Sequence, residues 1–233
     1  MNWKDLEVSA NFPAEIVCEE AGTDETCITL TWTKGEYKAP ALNVTWAVPL
    51  ADIQYEWYPL CGRDRALRTD WDAPIHTSFS TGAPVFCFYN EEGQNRLTIA
   101  LSEVRLEALH SYGVHEEDGT LLCCLKLPLP MTGSAERYSV TLLRLRENMR
   151  YEAALRQVAA WWERVSDTHP MPVPTAARLP MYSTWYSFHQ ETVAADLEAA
   201  CVLAAQDGFR TVIVDDGWQT SDCTRGYGYC GDW

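Results

Sequence analysis

Residues 85–101 read VFCFYNEEGQNRLTIAL. Two runs of β-branched and aromatic residues flank NEEGQN, a polar stretch with a glycine in it. That is the pattern of two strands separated by a turn. The same grammar recurs on both sides, in CITLTWTKG (27–35), ALNVTWAVPL (41–50), IQYEWYPL (53–60), LLCCLKLPL (121–129) and YSVTLLRLR (138–146). EEDGT (116–120) is another turn signal. Short strands and turns at regular spacing predict an antiparallel sandwich over residues 1–146.

The rhythm then changes. NMRYEAALRQVAAWWERV (148–165) places apolar residues at Tyr151, Leu155, Val158, Trp161, Trp162 and Val165, which is helical spacing. SDTHPMPVPTAARLP (166–180) follows, with prolines at 170, 172, 174 and 180. Proline fixes φ and removes a donor, so this stretch cannot continue regular structure. Residues 147–179 therefore read as a helix and a Pro-rich linker. Beyond it, MYSTWYSF (181–188) is a strand candidate and ETVAADLEAACVLAAQDG (191–208) a helix. The helix has apolar positions at Val193, Leu197, Ala200, Cys201 and Ala204, Thr192 as its N-cap and Gly208 as its stop. FRTVIVDD (209–216) is a second strand, continuously apolar in its middle, as a strand buried on both faces should be. Strand, helix and strand in that order predict two parallel neighbours.

Composition bounds the function. The 233 residues are 47% hydrophobic and 22% charged, enough for a packed core. Ten Trp and eleven Tyr either fill that core or form flat platforms for the apolar face of a sugar. The net charge of −15 repels phosphate backbones and argues against nucleic-acid or anionic-membrane partners. Nine cysteines occur without a CxxC pair, so neither a zinc ribbon nor a thioredoxin-type motif is supported. Cys87, Cys201 and the Cys123–Cys124 pair read as core thiols, and Cys223 and Cys230 could approach each other around a loop. The first residues show no signal-peptide pattern and no run of about 20 apolar residues occurs, so a reducing, cytoplasmic setting is expected. In that setting the sequon at Asn43 carries no meaning.

The chemistry concentrates near residue 215. In TVIVDDGW a buried parallel strand runs directly into Asp215 and Asp216. The C-terminal edge of a parallel sheet is where α/β proteins place ligands. Neighbouring strand residues point to opposite faces, but Gly217 permits a bend that brings both carboxylates to one pocket. Ionised carboxylates only accept hydrogen bonds, which suits a polyol or sugar, or equally a loop whose own N–H groups they cap. Trp185 is expected at the same sheet edge, as sugar platform or as core. His189 follows it as a pocket-lining candidate. His110 and His115, in HSYGVH, read as a turn and not as metal ligands. GYGYCG (226–231) formally matches GxGxxG but neither follows a strand directly nor opens a helix, so a dinucleotide site is rejected. No Ser/His/Asp or Cys/His nucleophile set can be assembled.

PMYSTWYSFHQ, GFRTVIVDDGWQTSD and the closing GDW together resemble glycoside hydrolase family 36, the α-galactosidases and their raffinose-synthase-like relatives. The similarity is strong over residues 180–233 and mostly architectural before them. It implies a β-supersandwich N-terminal domain (1–146) followed by the start, strand–helix–strand, of a TIM (β/α)8 barrel (180–233). It also implies an α-galactoside oligosaccharide of melibiose or raffinose type as substrate, with no cofactor. Asp215 and Asp216 match the aspartates that bind the C4 and C6 hydroxyls of galactose, and Trp185 matches a tryptophan lining that subsite. Trp218 and Trp233 match motif tryptophans that read as loop packing. The short β-domain resembles the compact subgroup, so no oligomeric state carries over.

The family is retaining and uses two carboxylates about 5–5.5 Å apart. Both belong to later barrel strands, and nothing matches Asp222 or Asp232 to either role. A whole barrel takes about 250 residues. The expectation is therefore a fragment, inactive alone and prone to associate, with nucleophile and acid/base beyond residue 233. A raffinose-synthase-like galactosyltransferase and a non-catalytic carbohydrate-binding protein are the competing readings.

Overall fold

The computed structural model describes residues 1–69, 74–130, 136–167, 169–229 and 231. It divides into two compact units, Met1–His169 and Pro170–Trp233.

The first unit is an antiparallel β structure. In chain order its strands are β1 (Asn2–Trp3), β2 (Leu6–Ala10), β3 (Glu15–Gly22), β4 (Glu25–Thr31), β5 (Ala41–Pro49), β6 (Tyr55–Trp57) and β7 (Ile75–Thr77). β8 (Val85–Tyr89), β9 (Asn95–Leu101), β10 (Ala108–His115), β11 (Thr120–Pro128) and β12 (Arg137–Leu145) follow, and helix α1 spans Tyr151–Val165. Two six-stranded sheets result, in the orders β1-β2-β5-β11-β10-β7 and β3-β4-β12-β9-β8-β6. β5 and β11 pair along nine residues, with Val44 opposite Leu125 and Trp46 opposite Cys123. Both strands alternate buried and less buried positions. This period of two puts one apolar face inward and leaves polar residues such as Asn43, Thr45 and Lys126 outside.

β8 and β9 differ, being buried along almost their whole length. Phe86, Phe88, Leu97 and Ile99 face the core between the sheets. Val85 and Ala100 belong to a second cluster with Leu143 and with Ala154, Val158 and Trp161 of α1. The helical period predicted for 148–165 thus covers the outer face of this sheet. Tyr151 stacks on Tyr89 at 4.3 Å between ring centres, and Trp162 Nε1 donates to the Leu101 carbonyl at 2.7 Å. This helix, expected at the head of a linker, belongs to the first unit.

Several details correct the sequence reading. HSYGVH is not a turn but the body of β10. β1, β2, β3 and β7 were not anticipated. Cys87 and Cys123 are buried, but Cys124 and Cys201 are only partly so. Cys230 and the Cys223 side chain lie outside the described residues. The core also holds a polar network. The buried Glu56 carboxylate accepts from Arg68 Nε at 2.8 Å and from the Tyr112 hydroxyl at 2.6 Å, and Arg68 also donates to Tyr112. The charge is therefore paired, as burial demands.

The second unit begins with a 3₁₀ turn at Thr175–Arg178 and continues with β13 (Met181–Ser183), α2 (Trp185–Phe188), α3 (Ala194–Gln206) and β14 (Thr211–Ile213). β13 and β14 are parallel, with Tyr182 opposite Val212. α3 turns Leu197, Ala200, Cys201 and Ala204 to its half-buried side, four of the five positions read from the sequence. Its N-cap lies one residue later than expected, at Val193, without a side-chain bond. It ends in a Schellman motif, in which Gly208 at φ +93° lets Phe209 N–H reach the Ala204 carbonyl and Gly208 N–H that of Ala205. β14 is not buried on both faces: Val212 and Ile213 are 42% and 46% exposed, and Val214, just beyond it, is 41% exposed. Two strands and one helix do not supply two covering layers. No helix among the described residues is long and apolar enough to cross a membrane.

His110 is fully buried, stacked on Phe86 at 4.1 Å, and its Nε2 has no hydrogen-bond partner among the described residues. Burial pushes its pKa down to about 3. The unfolded chain, with a histidine pKa near 6.5, takes up this proton first, so stability falls as pH drops below 6.5. Urea unfolding at pH 7.5, 6.5, 5.5 and 4.5 should show a loss from His110 of up to ~1.4 kcal/mol per pH unit. His110→Phe should flatten that slope whatever it does to absolute stability.

Candidate functional site

The site lies where β13 and β14 end. Thr184, directly after β13, is fully buried. Its N–H donates to the Ile213 carbonyl at 3.1 Å, and its Oγ1 accepts from Asp215 N–H at 2.9 Å. Its carbonyl accepts from Ser187 and Phe188. One threonine thus joins the ends of both strands and opens α2. That corrects the strand expected over 181–188: it stops at Ser183, and Trp185 is the first residue of a short helix. It still stands next to the strand end, because Thr184 is its neighbour.

Asp215 and Asp216 both lie beyond β14, and their carboxylates reach different partners. Asp215 Oδ1 accepts from Asp216 N–H at 2.8 Å, and Oδ2 from Ser183 Oγ at a long 3.4 Å. Asp216 Oδ1 accepts from Gly217 N–H at 3.0 Å and from Gln219 Nε2, while Oδ2 accepts from Gln190 Nε2 at 2.6 Å. The Gln219 and Gln190 amides, with Gly217 N–H, hold the Asp216 carboxyl below the usual range. A carboxylate offers about four acceptor positions. Among the described residues, Asp215 has two of them filled, one weakly, and Asp216 three.

Gly217 makes this arrangement possible. Its φ is +109°, and a Cβ there would lie 2.2 Å from the Gln190 backbone oxygen. Only glycine permits that approach. Thr184 and Gly217 are the only buried residues among those described in the second unit.

Trp185 stands between two rings. His189 meets it edge-to-face at 5.1 Å and Tyr227 at 5.8 Å with a 58° tilt. A groove of about 520 Å³ opens beside α2, lined by Ser187, Phe188, His189, Gln190, Glu191 and Val193, together with Asp196. None of Trp185, Asp215 and Asp216 lines it, but Gln190, which does, also holds Asp216. Trp218 is 58% exposed. Of GYGYCG, Tyr227 and Gly228 form a turn, Arg225 lies over the Tyr229 ring, and Cys230 lies outside the described residues. Asp232 and Trp233 lie outside the described residues. Among the described residues no three His, Cys, Asp or Glu side chains gather as a metal site. Sequence reasoning missed Ser183, Thr184, Gln190 and Gln219. The one signal for them was their position, hydroxyls or amides beside the strand ends that carry the carboxylates.

No family model matches the chain, and no curated protein matches it.

Gly217→Ala should break the carboxylate turn. Backbone overlap and the positive φ together should cost more than about 2 kcal/mol locally. Hydrogen exchange reads this directly: the Asp215, Asp216 and Gly217 amides should lose protection while those of β5 and β11 keep theirs.

Proposed function

We propose that the second unit carries the hydroxyl-accepting part of a subsite for a terminal α-galactosyl residue. The chain would be the N-terminal portion of an α-galactosidase-like glycoside hydrolase, cytoplasmic, with residues 180–233 as the start of its (β/α)8 barrel. The observation that carries this reading is the pair of adjacent carboxylates at the C-terminal end of a parallel sheet, oriented by neutral donors, with Trp185 directly after Thr184 at the end of the neighbouring strand. Unfilled acceptor positions suit ligand hydroxyls, and an indole suits the C–H face of a hexose. Acceptors fixed at one spot discriminate epimers, because the wrong one leaves them unpaired.

Asp216 does not suit the role of catalytic acid. A general acid needs a raised pKa, and Asp216 is held low by its amide partners. In this reading the nucleophile and the acid/base of the retaining mechanism come from later barrel strands.

The test is binding, followed by NMR on the whole chain. Methyl α-galactoside should perturb the Asp215 and Asp216 amides and the Trp185 indole N–H, and methyl α-glucoside should do so at least about tenfold more weakly. Asp215→Asn should weaken galactoside binding by roughly 10–100-fold, the worth of a charge-assisted hydrogen bond. The 233-residue chain should release no product from a p-nitrophenyl α-galactoside. Equal response to both epimers, or an unaffected Asp215→Asn variant, refutes the proposal.

A further inference from the structure

Directly after α2 the chain makes a tight turn. Glu191 N–H donates to the Phe188 carbonyl at 2.9 Å, so Phe188 to Glu191 form a four-residue β-turn. Its second residue, His189, has φ +50° and ψ −125°. That is the geometry of a type II′ turn, whose second position is normally glycine because a Cβ strains there. The sequence places an imidazole at the one position of the turn where glycine would relax it. A strained residue persists only where its surroundings hold it, and such residues concentrate at functional sites.

Two observations say what the imidazole does. Its ring meets the Trp185 indole at 5.1 Å and 76°. The next residue, Gln190, reaches Asp216 and packs its carbonyl over Gly217. The turn therefore sets both the tryptophan and the carboxylate support. Glycine at 189 would serve the second purpose and not the first.

We infer that His189 is a positioning residue: its imidazole fixes the Trp185 indole in the orientation that receives the apolar face of the hexose. This rests on the galactosyl-subsite reading above. The ring, rather than the imidazole's polar atoms, carries the effect.

The test compares His189→Gly and His189→Phe in the whole chain, with Asp215→Asn as reference. His189→Gly should relax the turn, leaving the thermal midpoint equal or a few degrees higher. It should nevertheless weaken methyl α-galactoside binding at least fivefold and shift the Trp185 indole N–H resonance. His189→Phe keeps an aromatic ring against Trp185 and should restore affinity to within about twofold, in spite of the strained turn. If His189→Gly binds like the unchanged protein while Asp215→Asn does not, this inference alone is overturned. If glycine and phenylalanine lose affinity equally, the imidazole contacts the ligand by its polar atoms, and the positioning role falls. If the unchanged chain and Asp215→Asn respond alike, the subsite reading fails and takes this inference with it.

Discussion

Strands β8 and β9 are buried on both faces, and the first unit is arranged to satisfy that. Phe86 and Phe88 point into the space between the sheets, while Val85 and Ala100 point the other way. One sheet cannot cover both directions. The opposite sheet closes one face, and α1 closes the other with Ala154, Val158 and Trp161. Removing buried apolar area from water is worth about 25 cal/mol per Å², so the five buried residues of β8 make both partners necessary. The Trp162 bond to the Leu101 carbonyl and the Tyr151–Tyr89 stack then fix the helix along the strands.

This explains which parts of the fold were legible. Alternation along ALNVTWAVPL and LLCCLKLPL announces one covered face, and the structure pairs these runs directly. Unbroken burial in VFCFY announces two, and the helical period at 148–165 supplies the second cover. HSYGVH misled because serine, glycine and two histidines look like a turn. In place, Tyr112 joins Glu56 and Arg68, and His110 lies flat on Phe86, contacts made by strands remote in sequence. β3 was equally hidden: three glutamates in EIVCEEAG suit an edge strand whose outer face meets water.

The second unit was legible in outline, while the end of its first strand, the cap of its helix and the burial of its second strand were not. The order strand, helix, strand and the parallel pairing follow from period and length. The extent of the first strand did not, because Thr184 spends its hydroxyl on the partner strand and its carbonyl on a helical turn. No local propensity announces that choice. The same holds for His189: turn chemistry asks for glycine there, and the sequence offers no substitute signal. The carboxylates themselves were legible because two acidic residues in succession have no role in an apolar strand. Their partners were not, since glutamines at 190 and 219 are ordinary surface residues until the turn folds them back.

How the second unit is held bears on what its carboxylates can do. Its strand and helix surfaces remain largely open, and the two buried residues among those described in it, Thr184 and Gly217, both belong to the junction beneath the aspartates. Hydrogen bonds, more than a hydrophobic core, set the geometry there. Among the described residues, the donors that orient Asp216 are two side-chain amides and a backbone N–H, none of them a cation. An arginine in their place would orient the carboxylate and also neutralise it. Amides orient it and leave the charge in force, so the remaining acceptor positions form charge-assisted bonds, roughly twice as strong as neutral ones. In the proposed galactosyl subsite, such carboxylates would repel phosphates and carboxylates and favour a neutral ligand with several hydroxyl donors. Fixing the acceptors beforehand lowers the entropy lost on binding, and in the proposed subsite their fixed positions, more than that saving, would tell one epimer from another.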